Sequence, residues 1–220
     1  MQTTILVTAL VLMLTLTAAG QQPLPRQEQS ASCAMTMNSA HSAGSSISYT
    51  ELKNTATQLE RARQATAKYE DVRLAEADGY HAMGPDVPGM GVHFVQTLEA
   101  KEFDIEKPPI LLYQKNQAAP GGYSLVGVTY LWNGAEGPDG QPVDPPFPKS
   151  LARWHRHSNI CVLPGLSNPH ELNQSQCREK GGQFFAQAPW MVHAWIWKDN
   201  PAGVFSSENP ALRDPSPHGN

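Results

Sequence analysis

Proline and glycine set the limits on this chain. From Gly79 onward they punctuate every apolar stretch, whereas Ser48 to Asp78 contains neither. From Ser48 onward a long helix can therefore run only through that first stretch, and the rest must be short segments joined by turns. Ser48-Tyr49-Thr50-Glu51 has the form of a capping box, in which the serine hydroxyl and the glutamate each satisfy a backbone N–H of the first turn. Behind it Leu52, Ala56, Leu59, Ala62, Thr66, Tyr69 and Val72 recur at three- and four-residue spacing. This predicts one helix about 25 to 30 residues long, ended by Gly79 at positive φ. Lys53, Glu60, Arg61, Lys68 and Asp71 would form its solvated face. The later segments Val92–Val95, Ile110–Tyr113 and Ser124–Trp132 are rich in β-branched and aromatic residues and read as strands. Leu151–Cys161, Gln183–Ala186 and Trp190–Trp197 continue the β-like pattern, and the Pro- and Gly-rich stretch 134–149 reads as a loop. The expected fold class is α+β, a long N-terminal helix packed on an antiparallel β-sheet or small β-barrel, within a single domain over residues 48–214.

The N-terminal end has a different character. Ile5 to Leu16 is an apolar core of signal-peptide length, too short to span a bilayer, and is followed by the small residues Ala18, Ala19 and Gly20. No basic residue precedes it. A signal peptide over 1–20 is expected, then a flexible low-complexity tether over 21–47 containing Cys33, and a disordered tail over 215–220. The protein would be secreted or periplasmic, with no membrane span in the mature chain. Sixteen basic against 20 acidic residues give a net charge of -4, which argues against a nucleic-acid partner, since that needs a basic surface to neutralise phosphates.

The chemistry-bearing residues are histidines. Four of the eight lie in apolar, turn-flanked segments: His93, His155, His157 and His193. On a strand, His155 and His157 would point to one face, a two-point chelate for a divalent ion. His93 and His193 could complete the set if the sheet joins their strands. His93 or His193 taken singly reads as a hydrogen-bonded core residue, and the His155/His157 pair reads as either. Together they predict one transition-metal ion (Cu, Zn or Fe), with Trp154, Asn159, Trp195 and Trp197 around the ligands controlling water and tautomers. An open coordination position would make the site catalytic and a closed one would not. The competing readings are a non-enzymatic binding module, either a metal carrier or a small-molecule pocket walled by Trp195 and Trp197, and a structural domain of the cell envelope. His41, His81, His170 and His218 lie in polar or turn-rich surroundings and read as exposed.

Cys161 and Cys177 are expected to form a disulfide across the intervening loop, as an exported chain would allow; the alternative makes Cys161 a thiolate ligand beside His157. No G-x-S-x-G, G-x-G-x-x-G, Walker or H-E-x-x-H pattern occurs. The acidic cluster Glu99, Glu102, Asp104 and Glu106 reads as a solvated loop.

The runs Tyr69–Val72, Ala75–Tyr80, Pro88-Gly89-Met90-Gly91-Val92-His93, Pro109–Tyr113, Leu125-Val126-Gly127-Val128-Thr129-Tyr130, His193-Ala194-Trp195 and Asn200–Phe205 resemble those of a family of secreted bacterial proteins of unknown function. The resemblance spans most of Tyr69 to Pro210. It implies export, an N-terminal helix followed by a β-rich domain, and a shared histidine-bearing core; it implies no activity. Family members carry an acid where Gln114 or Thr129 stands here, so the segment Trp154–Cys161 would supply the replacement ligands.

Overall fold

A computed structural model describes residues 47–100, 102–163, 165–166 and 168–212. The signal peptide, the tail, Cys33 and all of the tether except Ile47 lie outside the described residues. The described residues fall within one unit, Ala43–Asn220.

The helical region starts where its cap predicts. Ser48 Oγ accepts from Glu51 N at 3.1 Å, and the Glu51 carboxylate accepts from Ser48 N at 2.8 Å. Helix α1 covers Tyr49–Thr66, and a 3-10 turn (Ala67–Glu70) then separates it from α2, Val72–Ala77. The single long helix is thus interrupted. Asp71 takes an extended backbone and its carboxylate accepts from Arg73 N at 3.1 Å, a capping bond that starts a new helix instead of continuing the old one. The break turns Tyr69 inward, and Tyr69, Val72 and Ala75 are buried. The predicted stripe holds from Leu59 onward, whereas Leu52 and Ala56 are exposed. Gly79 ends α2 at φ 89°, where only glycine sits without strain.

Five strands form one antiparallel sheet in the order β1-β2-β3-β4-β7: β1 His81–Val87, β2 Gly91–Val95, β3 Ile110–Lys115, β4 Tyr123–Trp132 and β7 Trp190–Ala194. The sheet is open, with β1 and β7 at its edges. A second, two-stranded sheet pairs β5, Ser158–Val162, with β6, Gln183–Gln187. Strand β1 has no signal in the sequence, because His81-Ala82-Met83-Gly84-Pro85-Asp86-Val87 contains three poor strand formers. Proline is tolerated there because an edge strand leaves one row of donors unpaired. The segment holding His155 is not a regular strand. It joins β7 through one antiparallel bridge, with His155 N donating to Met191 O at 3.0 Å and Met191 N to His155 O at 2.7 Å.

The two faces of the large sheet carry different cores. On one face, Phe94, Leu111, Tyr113, Val128, Tyr130 and Val192 pack against Ala62, Tyr69, Val72 and Ala75 of the helical region. On the other, Val95, Ile110, Leu112, Val126, Met191 and Trp195 form a separate core. Buried tyrosines fasten the irregular segments. Tyr113 Oη donates to Tyr69 O, Tyr80 Oη to Pro108 O and Tyr130 Oη to Ile105 O, each at 2.7 Å. Burial raises all three hydroxyl pKa values above the ordinary tyrosine value, so they remain donors.

The small sheet is held by the disulfide Cys161–Cys177 and by α3, Gln174–Glu179. The bridge is buried with Leu172 beside it. Replacing both cysteines (Cys161→Ser/Cys177→Ser) is expected to lower unfolding free energy by about 3 kcal/mol, the loop-closure value for a loop of this size. Guanidinium denaturation of the two proteins measures the difference.

Candidate functional site

Strand alternation places His93, on β2, and His193, on β7, on the sheet face away from the helices. Two strands lie between them, and Gly127 of β4 leaves room for Trp195 on the same face. A side chain at Gly127 would stand 2.9 Å from Ala194 O and 3.2 Å from the Trp195 ring, closer than packed atoms tolerate. The His93 and His193 rings lie 5.8 Å apart between centroids. His155, paired beside Met191, reaches the same face, and its ring lies 5.2 Å from that of His193 at an interplanar angle of 87°. His157 follows at 5.6 Å and 89°, and His170 at 6.4 Å from His157. The five imidazoles form a file from the sheet to the surface. His193 is 1% exposed, His155 is partly buried, and His157 and His170 are exposed.

Backbone carbonyls fix two tautomers. Ser207 O lies 2.6 Å from His193 Nδ1, and Arg153 O lies 3.1 Å from His155 Nδ1. A carbonyl only accepts, so each Nδ1 carries the proton and donates, leaving Nε2 with its lone pair. Trp195 packs edge-on to His193 at 5.8 Å, and its Nε1 donates to Ser206 O at 2.6 Å. Thr129, opposite His193 in the β4–β7 register, is fully buried, and its hydroxyl has no hydrogen-bond partner.

This environment favours the uncharged ring. Burial, then the neighbouring His157 and His155, brings the His93 pKa down to about 4. Burial, then His93 and His155, brings that of His193 down to about 3, against the opposing pull of the Ser207 carbonyl. His155 is lowered chiefly by burial, and His157 by burial and then by His155 and His170. Each ring that takes a proton makes the next uptake harder.

The arrangement overturns the expected metal-binding function. Among the described residues, no group of three or more His, Cys, Asp or Glu side chains is placed to hold a metal ion. His93, His155, His157 and His193 are neighbours, but the His155 ring stands edge-on to those of His157 and His193, and His93 is tilted 59° to His193. Two of the Nδ1 atoms face carbonyls, and the rings do not share one centre. The readings as a metal-dependent enzyme or a metal carrier go with that correction. Cys161 is in the disulfide and is not a thiolate ligand.

Of the four residues expected around the site, only Trp195 packs against a histidine ring of the file. Trp154 belongs to the helix-side core and donates to Phe147 O at 3.0 Å. Trp197 donates to Thr66 Oγ1 at 3.0 Å and lies under Arg63, with the guanidinium carbon 4.5 Å from the ring centroid. Trp195 and Trp197 thus pack in two separate cores. Asn159 is exposed in β5 at φ 54°. His170, which reads as a surface residue, joins the file because its loop folds back on β5, with Cys161 N donating to Pro169 O at 2.7 Å. Only the spacing of Cys161 and Cys177 on either side of it hints at that return.

No protein family, curated protein or solved structure matches this chain. The family resemblance stands on its motifs alone. Among the described residues no helix is long and apolar enough to cross a membrane.

The file should titrate from the outside in. In a histidine-selective NMR titration, His157 is expected to protonate before His93, and His193 to be the last ring to charge while the strap is closed. A ring of His193 that charges above pH 6 contradicts the burial argument.

Proposed function

We propose that this is an exported, acid-responsive domain, in which protonation of the histidine file releases a C-terminal strap from the sheet. The observation that carries the reading is the file itself: imidazoles in series from the surface to His193, whose Nδ1 holds the strap at Ser207. Export is supported by the buried disulfide, a bond that persists in oxidising compartments.

The strap runs from Phe205 to Leu212. It is attached through Ser206 O and Ser207 O, through Asn209 N donating to Gly89 O at 2.7 Å, and through the packing of Leu212 on the second core. At neutral pH the inner rings are neutral and the strap is retained. On acidification a charged His193 would sit in an apolar face beside His93 and His155, with other imidazoles as its neighbours. Opening the strap hydrates that charge, and this is the two-state element such a switch requires.

The sign follows from linkage. In the unfolded chain a histidine takes up its proton near pH 6.5, whereas His193 in the fold resists until about pH 3. Proton uptake therefore favours the open or unfolded chain as pH falls below about 6.5, and stability is independent of these groups above that value. His193 alone would cost about 3 kcal/mol at pH 4, a large share of the roughly 5–15 kcal/mol that holds a domain together.

Hydrogen exchange at pH 7 and pH 5, both above the point of global unfolding, tests this. Amides of Phe205–Leu212 should lose protection at pH 5 before those of β3 and β4. A His93→Gln/His193→Gln variant should keep the same strap protection at both values. Equal strap protection at pH 7 and pH 5 in the unaltered protein would overturn the proposal.

A further inference from the structure

At the end of the large sheet, on the helix side of β7, a groove of about 350 Å³ opens between the β4 end, the loop after β2 and the β6–β7 turn. That volume is within the range of small-molecule sites, about 300–1,000 Å³. Its walls combine Phe185 and Trp190 with Glu99, Asn133, Arg156 and Gln187. The geometry points to a binding site for a neutral polyhydroxylated ligand, a saccharide unit of one or two rings. It is distinct from the histidine file and from the acid response.

The argument rests first on which polar groups are free. The carboxylate of Glu99 and the side-chain amides of Asn133 and Gln187 make no hydrogen bond or ion pair with the described residues, and all three residues are exposed. Trp190 is 5% exposed, and its Nε1 is buried without a partner. That atom lies beneath the groove wall, so Trp190 reports on the groove through its ring and is not counted among the groups a ligand can bond. The free set thus comprises two amides that both donate and accept and one acceptor-only carboxylate. A ligand that satisfies it must itself offer donors and acceptors in close succession, as adjacent ring hydroxyls do.

Charge makes the second selection. Arg156 is the only cation lining the groove among the described residues, and it is already occupied. Its guanidinium pairs with the Glu136 carboxylate and lies 4.3 Å from the centroid of the Trp190 ring. With Arg156 neutralised and Glu99 adding negative charge, an anionic ligand is disfavoured. The partly buried ring of Phe185 gives an apolar surface on which the C–H face of a sugar can pack.

The test uses the full chain at pH 7.5 with four neutral disaccharides at millimolar concentration: maltose, cellobiose, lactose and N,N′-diacetylchitobiose. At least one should bind saturably and shift the Trp190 indole N–H resonance. The Asn133→Ala/Gln187→Ala variant should bind it about tenfold more weakly, the loss of two hydrogen bonds, with an unchanged melting temperature, since both side chains are exposed and unbonded in the fold. The proposal is overturned if none of the four shifts that resonance, or if the double variant binds with unchanged affinity. Saturable binding of acetate or putrescine at this groove in place of any disaccharide also overturns it.

Discussion

An imidazole buried among other imidazoles must stay uncharged, and the far face of the sheet depends on that condition. His193 is nearly inaccessible, its Nδ1 proton is given to Ser207 O, and its closest ring neighbours are His93, His155 and Trp195. None of these rings offers the compensating negative charge that would make a buried cation tolerable. A leucine or valine at 193 could fill the same space without titrating, so burial alone does not account for the residue type. The carbonyl contact does more, since it uses the ring to orient the strap. The Thr129 hydroxyl beside it, unpaired among the described residues, adds a further polar atom to the same face.

The opposite face solves a different problem with a similar device. Its loops carry few hydrogen bonds of regular structure, and long aromatic side chains supply the anchors instead. Tyr80, Tyr113 and Tyr130 each place an apolar ring in the core and a hydroxyl on a carbonyl of an irregular segment. Trp197 does the same toward Thr66 of α1. The helical region is thus fixed to the sheet by a few donors at the tips of buried rings, and the exposed start of α1, with Leu52 in solvent, extends beyond them.

How much of this was legible in the sequence depended on whether the signal was local. The cap at Ser48, the stop at Gly79, the β-branched cores of β2, β3 and β4, and the pairing of Cys161 with Cys177 all rest on near neighbours or on few possible partners. The break at Asp71 was hidden because a capping aspartate inside an amphipathic stripe looks like one more solvated residue. Strand β1 was hidden because an edge strand needs only one row of donors and tolerates Gly84 and Pro85. For the histidines, composition and alternation brought His93, His155, His157 and His193 to one face. Ring orientation decides between chelation and stacking, and it is set by carbonyls at Arg153 and Ser207 that leave no trace in the sequence. His170 entered the file through the loop return at Pro169, a long-range contact of the same kind.

The tripeptide His155-Arg156-His157 joins the two regions of interest. Its paired hydrogen bonds with Met191 fix the backbone, and alternation then sends the two imidazoles to the file and the guanidinium over Trp190 to the groove. Proton uptake at His155 or His157 places a charge on a residue next to Arg156 in the chain, on the opposite side of the backbone from the guanidinium. The Arg156 guanidinium is itself paired with the Glu136 carboxylate. Holding that arginine over Trp190 and against Glu136 therefore neutralises the groove's only described cation, while the imidazoles on either side of it remain in the file.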